Sequence, residues 1–310
     1  MDYIKLGRTE ITVSRLCFGC AAIGGYDYGP VEDSVSIRAI RCAIDCGVTF
    51  FDVADVYGFG RAETVLGKAL GPSRGRTVIA TKFGVAWQEG AGTRRDLNPT
   101  EIEKALDASL ARLGTDYVDL YQIHWPDHIT PLGAVAAELE RLKSKGKLLA
   151  FGCCNFSEGM VRDLQIAGGP DSIQMPFSLV ERQFHPLLIC CAEKMRLTTM
   201  TYNTLAQGLF SGKYDKSSSF IGSDLRRRST LFAGETFTRN LRVLESLKRT
   251  SKHLGKTPAQ IAIRWVLKAR GIGCAIVGAK TENQVLENVG AFEWDLDPSE
   301  HALLAGEPLV

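Results

Sequence analysis

Short apolar runs, each closed by a polar or turn-forming residue, alternate along this chain with longer stretches whose apolar residues recur every three or four positions. The first spacing is that of a strand and the second that of an amphipathic helix. Residues 3–16 alternate apolar and polar around Gly7 and Arg8, which predicts a small hairpin acting as a lid on one end of a larger body. A strand at 16–19 leads into a glycine-rich loop ending at Gly29. A helix follows from Asp33, with Val35, Ala39, Ile40, Ala43 and Ile44 on one face and Gly47 as its stop. Strand and helix then alternate at 48–55 and 61–70, 77–82 and 99–113, 117–124 and 133–145, 148–155 and 160–167, and 172–177 and 187–196. A strand at 199–205, a polar loop at 207–234, helices at 238–254 and 259–269, a last strand at 274–278 and a last helix at 282–291 complete the pattern. Asn98-Pro99 and Thr257-Pro258 are helix starts, and Gly114 is a helix stop.

Repeated strand and helix units with no composition break and no linker predict one (β/α)8 TIM barrel domain over residues 1–310, preceded by the N-terminal β-hairpin. A chain of 310 residues can bury the core such a barrel needs. The rival, a doubly wound nucleotide fold, wants G-x-G-x-x-G after an early strand. The nearest approach, Gly58-Phe59-Gly60-Arg61-Ala62-Glu63, lacks the third glycine. The segment from Gly208 to Gly212-Lys213 is one residue short of a P-loop.

Charge and cysteine content narrow the setting. The formal net charge is +2 with no long run of one sign, so neither nucleic acid nor an acidic membrane surface is expected as a partner. Arg226, Arg227 and Arg228 form the densest basic cluster and read as a solvated loop, with an anion contact as the alternative. Asp2, Lys5, Arg8 and Glu10 interrupt any apolar leader, and no later run approaches membrane length, so a cytoplasmic protein is expected. The nine cysteines are an odd number in apolar contexts, the pattern of reduced buried thiols. Cys17 and Cys20 make a C-x-x-C inside a continuing strand with no second pair at zinc spacing, and no metal is expected.

Three successive strands end in polar groups: Asp52 and, after a short turn, Tyr57; then Lys82; then His124. In a parallel barrel the carboxyl ends of the strands share one face, where ligands bind, so these four can meet. A lysine beside a tyrosine favours phenolate, lowering the phenol from about 10 towards working pH, where it can exchange a proton with a carbonyl or alcohol oxygen. Asp52 would hold the lysine charged, and His124 would hydrogen-bond the substrate oxygen. Singly, each residue has a structural reading as a strand cap, a buried ion pair, a solvated strand end or a core histidine. Together they describe a proton-transfer site that lacks an electron source.

With those residues in place the chain resembles the aldo-keto reductases, a family of NAD(P)H-dependent barrels. The resemblance runs through KLGRTEITVSRLCFGC, FDVADVYG, ATKFG, DLYQIHWPD, GCCNF, YNTLAQGLFSGKY and IVGAKTENQVLENVG. It implies that Asp52, Tyr57, Lys82 and His124 are the catalytic tetrad, with Tyr57 as general acid in reducing an aldehyde or ketone to an alcohol. It also implies a nicotinamide site. Asn155 and Gln174 would hold the carboxamide, with Cys154 standing where the family has serine, and Tyr202 would carry the ring. Asn203 and Thr204 replace the family's serine and proline, and Asn203 is placed with the cofactor residues. Leu205, Gln207, Gly208, Leu209, Gly212 and Lys213 resemble the pyrophosphate clamp. Gly278, Lys280, Gln284, Glu287 and Asn288 resemble the adenosine site, where Lys280 before a helix would meet a 2'-phosphate and favour NADPH over NADH. Cys153 and Cys154 beside this site invite an oxidative switch.

The substrate is expected to be a small carbonyl or sugar-like molecule. It would be selected by the loops 21–31, 85–98, 125–130 and 216–234, with Tyr26, Tyr28, Trp87 and Trp125 as candidate walls and Arg94 and Arg95 as solvated charge or an anion contact. The short tail after Gly290 resembles the sugar, pyridoxal and channel-subunit branches of the family. Two alternatives stay open: an NAD(P)-dependent sugar or alcohol dehydrogenase working oxidatively, and a slow-turnover nucleotide-sensing subunit. A homo-oligomer is also left open.

Overall fold

The computed structural model describes residues 1–88 and 92–306. Positions 89–91 of the expected 85–98 loop, and 307–310, lie outside the described residues. β1 (Tyr3–Lys5) and β2 (Thr12–Ser14) pair antiparallel as the N-terminal hairpin. Then come β3 (Leu16–Gly19), α1 (Asp33–Asp45), β4 (Phe50–Asp52), α2 (Arg61–Leu70) and β5 (Val78–Phe83). A second hairpin, β6 (Val85–Gln88) with β7 (Gly92–Arg95), precedes α3 (Pro99–Leu113). The chain continues through β8 (Val118–Ile123), α4 (Leu132–Ser144), β9 (Leu148–Cys154), α5 (Glu158–Ala167), β10 (Ser172–Pro176), α6 (His185–Glu193) and β11 (Thr198–Tyr202). It ends with α7 (Gly234–Leu254), α8 (Pro258–Lys268), β12 (Cys274–Gly278), α9 (Glu282–Val289) and α10 (Pro298–Ala305).

Strands β3, β4, β5, β8, β9, β10, β11 and β12 close in that order into a parallel barrel, as expected of a (β/α)8 fold. The register sorts their side chains into two sets. One set faces the helices, among them Phe51, Ile79, Phe83, Tyr121 and Ile123, and the other faces the lumen. In the lumen, Cys17, Phe50, Val78, Ala80, Leu120, Ala150, Met200 and Cys274 form one apolar cluster with Leu6 and Val13 of the hairpin. The hairpin is therefore the barrel's floor, at the amino-terminal ends of the strands. Hydrogen bonds tie it there, from Gly7 N to Thr198 Oγ1 at 2.7 Å and from the Arg15 guanidinium to the carbonyls of Gly273, Leu267 and Ile272. Gly7, at φ +54°, is confined to glycine, since a Cβ would lie 2.4 Å from the Asp171 carbonyl oxygen.

The structure departs from the sequence pattern in several places, each for a local reason. β4, β9 and β11 are shorter at their carboxyl ends than the expected 48–55, 148–155 and 199–205. Asn155 and Asn203 adopt left-handed backbone at φ +61° and +58°, which ends the ladder directly after Cys154 and Tyr202. α7 starts at Gly234, four residues before the apolar periodicity does, and the loop before it holds short 3₁₀ turns at Leu225–Arg227 and Thr230–Phe232. The helix expected at 282–291 is not the last. Asp297 accepts from Ser299 N and caps α10, whose Leu304 packs inward while Leu303 stays exposed, a pattern too narrow to register as periodic. Among the described residues no helix is long and apolar enough to cross a membrane.

Leu6 is fully buried in the lumenal cluster. Leu6→Ala is expected to destabilise the fold by about 2–5 kcal/mol through lost burial and a residual cavity. Denaturant unfolding of the purified variant against wild type measures it.

Candidate active site

Above its apolar floor the lumen turns polar. Lys82 projects inward from β5, is wholly buried, and its Nζ lies 2.6 Å from Asp52 Oδ1 on the neighbouring strand β4. The same ammonium donates to the Val53 carbonyl at 3.0 Å and to Tyr57 Oη at 3.3 Å, so its three protons are all engaged. The other Asp52 oxygen accepts from Gln174 Nε2 at 2.8 Å and from Gln122 Nε2 at 3.4 Å. Strands β4, β5, β8 and β10 thus meet in one buried polar layer, which makes the ion pair tolerable in a dry lumen.

Tyr57 stands on the loop after β4, and His124 follows β8; their rings meet edge to face at 5.8 Å between centroids. The two titrate in opposite senses for one reason. Burial raises the Tyr57 phenol above its ordinary value, and Lys82 offsets only part of the rise. This corrects the expectation that the lysine brings the phenol down towards neutral pH: in the free protein Tyr57 is a neutral phenol, the form a proton donor needs. Burial, followed by the Lys82 charge, holds His124 well below the usual imidazole range, so it is neutral. Its Nδ1 is buried and has no hydrogen-bond partner among the described residues. Burial also works against the Lys82 ammonium, but Asp52 and then Tyr57 outweigh it and Lys82 is raised.

Tyr57 and His124 open into a cavity of about 390 Å³ at the carboxyl ends of the strands. All the catalytic and cofactor residues picked out in the sequence line it except Lys82, Cys154, Leu209 and Gly212. Asn155, Gln174 and Tyr202 stand at the tetrad end. Tyr202 Oη donates to Asn155 Oδ1 at 2.8 Å, and Asn155 Nδ2 donates to the His124 carbonyl at 3.0 Å. Asn203, Leu205, Gln207, Gly208 and Lys213 follow along one wall, with Gly278, Lys280, Gln284, Glu287 and Asn288 at the far end. Lys82 sits behind the wall, reaching the site through Tyr57. Cys154 is wholly buried, and its thiol, like that of Cys153, is pushed up by burial. That is the reverse of a reactive thiol and gives the oxidative switch no support. Leu209 is buried under the loop, and Gly212, at φ +85°, ends its 3₁₀ turn.

The far end also holds residues that sequence reasoning did not place there. Arg226, from the run read as a solvated loop or an anion contact, turns inward and lines the cavity. Its guanidinium lies over the Tyr214 and Phe220 rings, pairs with Asp224 at 2.5 Å and donates to the Tyr214 hydroxyl. Arg228 turns outward to Asp27 at 2.5 Å, and the backbone N–H of Leu225 donates to the Asp27 carbonyl at 2.8 Å. Tyr28 lines the cavity too, and its carbonyl accepts from Lys280 Nζ at 2.6 Å. Burial, then the charges of Arg226 and Lys213, lower the Lys280 ammonium, as expected where three cations converge on one hollow. The arginine run was visible in the sequence, but nothing in it told which member turns inward.

The polar amides at one end and the cations at the other fit an elongated ligand with an amide head and an anionic tail, as a nicotinamide dinucleotide has. Among candidate substrate walls, Trp125 lines the cavity beside His124 with Arg95 over its ring at 4.9 Å, while Tyr26 meets Phe59 edge to face and Phe59 meets Trp87 at a tilt.

A model described as the aldo/keto reductase family matches residues 15–306. Aldo-keto reductase YhdN of Bacillus subtilis (strain 168) is 34% identical over 288 residues, which cover 92% of this chain and 87% of that protein. The NADH-specific methylglyoxal reductase of Escherichia coli (strain K12) is 31% identical over 319 residues, covering 98% of this chain and 97% of that one. Among solved structures, a glycerol dehydrogenase from Gluconobacter oxydans matches with a TM-score of 0.90 at 33% identity, covering 98% of this chain and 94% of its own.

Removing the ammonium would leave the Asp52 carboxylate buried with only amides for partners. Lys82→Met should therefore destabilise the protein by about 3–5 kcal/mol. Adding Asp52→Asn to that variant should recover part of the loss, a non-additivity that thermal unfolding of the two singles and the double reads directly.

Proposed function

This chain belongs to the aldo/keto reductase family and is an NAD(P)H-dependent oxidoreductase, and we propose that it reduces a small aldehyde or ketone with NADPH, Tyr57 donating the proton. The observation that carries this reading is the Tyr57 hydroxyl, protonated and facing the cavity, 3.3 Å from an ammonium that Asp52 holds in place.

The bound nicotinamide would supply the hydride for the carbonyl carbon. Asn155 and Gln174 would hold its carboxamide, Tyr202 its ring, and Lys213 with the neighbouring loop its pyrophosphate. What the chain itself does is manage the proton and the charge. As the carbonyl oxygen gains electron density, the Tyr57 hydroxyl gives it a proton, and Lys82 stabilises the phenolate left behind. His124, neutral at working pH, donates a hydrogen bond to the same oxygen and orients it without competing as an acid. Burial favours the protonated Tyr57 at the start, and Lys82 favours the ionised Tyr57 at the end. In the oxidative direction the same groups take the proton back, so the geometry serves both. The relatives span both senses, one named as a reductase of methylglyoxal and the other as a dehydrogenase of glycerol. Both named substrates are three-carbon molecules, which supports a small polar substrate against Trp125.

NADPH preference is inferred from charge. One relative is NADH-specific, so the fold alone does not choose. Here Lys280 and Arg226 stand together at the adenosine end, and the Lys280 ammonium donates to the Tyr28 carbonyl, a neutral partner that a phosphate would displace.

Tyr57→Phe should lower kcat for methylglyoxal reduction by about 100-fold to 10,000-fold with NADPH affinity nearly unchanged; stopped-time NADPH oxidation and fluorescence titration read the two. Near-normal turnover would remove Tyr57 from the role. Lys280→Ala should weaken NADPH binding by about 10-fold to 100-fold and leave NADH binding where it was. Equal losses for both coenzymes would place Lys280 away from the 2'-phosphate.

A further inference from the structure

One cation near the reacting end of the cavity has no part in the chemistry of the tetrad. The hairpin between β5 and α3 carries two arginines in succession, Arg94 and Arg95, and its register separates them. β6 and β7 pair Val85 with Arg95, Ala86 with Arg94 and Trp87 with Thr93. Opposed residues of a ladder share a face and successive residues alternate, so Arg95 lies on the face of Val85 and Trp87 while Arg94 lies on the other.

The contacts of that face show where it points. The Trp87 ring meets Phe59, two residues beyond Tyr57, at 5.5 Å between centroids. The Arg95 guanidinium lies 4.9 Å from the centre of the Trp125 ring, and its Nη1 is 3.5 Å from the Pro126 carbonyl, the limit of a hydrogen bond. Trp125 follows His124 directly, and both line the cavity. One face of the hairpin therefore reaches from the loop of Tyr57 to the loop of His124, and Arg95 stands on its His124 side. Leu97 N, donating to Asp127 Oδ2 at 2.9 Å, ties the base of the hairpin to that same loop.

The carboxylates of these two segments have other partners. Asp96 pairs with Arg94 at 2.8 Å and accepts from Asn98 N. Asp127 accepts from Leu97 N, Ile129 N, Thr130 N and the Thr130 hydroxyl. Among the described residues no carboxylate pairs with Arg95, which is exposed and held by an aromatic ring and one long carbonyl contact. Its fork of donors matches a carboxylate or a phosphate. The phosphates of the coenzyme have Lys213, Lys280 and Arg226 at the far end of the cavity, which leaves Arg95 for the substrate.

We propose that Arg95 selects the substrate: the aldehyde this chain reduces carries an anionic group, a carboxylate or a phosphate, at the end away from its carbonyl, and Arg95 receives that group at the cavity rim beside Trp125. This deepens the reductase reading and rests on it. With the carbonyl oxygen between Tyr57 and His124, the Trp125 ring covers the carbons that run outward to the guanidinium. Water and salt weaken an ion pair at an exposed rim, so the contact acts on capture of the substrate and leaves the chemical step to the tetrad.

The test compares kcat/KM with NADPH for two matched pairs, butanal against 4-oxobutanoate and glyceraldehyde against its 3-phosphate, in wild type, Arg95→Gln and Arg94→Gln. Wild type should favour the anionic member of at least one pair by about 10-fold, and the pair that shows it separates carboxylate from phosphate. Arg95→Gln should lose about 10-fold to 100-fold more on that member than on its neutral partner, chiefly through KM. Arg94→Gln, altered on the other face, should keep the wild-type ratio. Wild type that favours the neutral member of both pairs would overturn the proposal and leave the reductase reading standing. Equal losses on both members in Arg95→Gln would do the same, as the mark of an arginine that only supports Trp125. So would an equal fall of the ratio in Arg94→Gln, the mark of diffuse charge. Wild type that turns over none of the four would count against the reductase reading. Calorimetric titration of 4-oxobutanoate and of inorganic phosphate into wild type and Arg95→Gln would then decide the anion contact alone, equal heats overturning it.

Discussion

The ion pair between Lys82 and Asp52 is the constraint on which the rest of the barrel is arranged. Lys82 is wholly buried and Asp52 nearly so, and the donors and acceptors of such a pair must find partners within the protein. Three oxygens surround the ammonium, and two side-chain amides from β8 and β10 take the second carboxylate oxygen. Four strands must hold their register for that layer to exist, and a slip of one residue on any of them would turn its contribution outward. Small lumenal residues make the layer possible as well: at Gly152 a Cβ would sit 2.1 Å from Ser172 Oγ. Below the layer the lumen is apolar and filled; above it, the cavity begins.

The cavity inherits a polarity from this arrangement. At its inner end the charges are paired and the titrating groups, Tyr57 and His124, are held neutral by burial. At its outer end Lys213, Lys280 and Arg226 come from separate segments and converge, with Asp224 paired to Arg226. An anion is drawn to the outer end and the uncharged, reacting part of a ligand is admitted to the inner one. Electrostatics therefore sets the direction in which an elongated ligand lies before any close contact is made.

How much of this was legible in the sequence follows from how local each cause is. α3 runs over the predicted residues because Asn98, Pro99 and Gly114 write its start and stop into adjacent positions. The eight barrel strands were visible as apolar runs, and the residues at their ends converge because a parallel barrel leaves them no other place. Strand ends were not visible to the residue, since the left-handed turns at Asn155 and Asn203 are one conformation among several that asparagine allows. The Tyr57 phenol shows a different limit. Residue types identify the lysine that lowers it, but the burial that outweighs the lysine is a property of the assembled barrel. Arg226 is similar, since it is Tyr214, Phe220 and Asp224 that turn it inward rather than anything in its own run of three arginines.

The hairpin floor has a consequence for the order in which the chain acquires its structure. Its anchors lie far along the sequence: Gly7 bonds to Thr198, and Arg15 bonds to the carbonyls of Leu267, Ile272 and Gly273. Within this chain the hairpin is thus made well before the segments that receive it, and it finds its place only once they exist. Until β12 pairs with β3, the barrel is an open sheet with two unsatisfied edges and a lumenal apolar face uncovered at its base. Contacts of such long sequence separation make closure slow, and for that interval the unpaired edges and the uncovered lumenal face are what aggregation can reach.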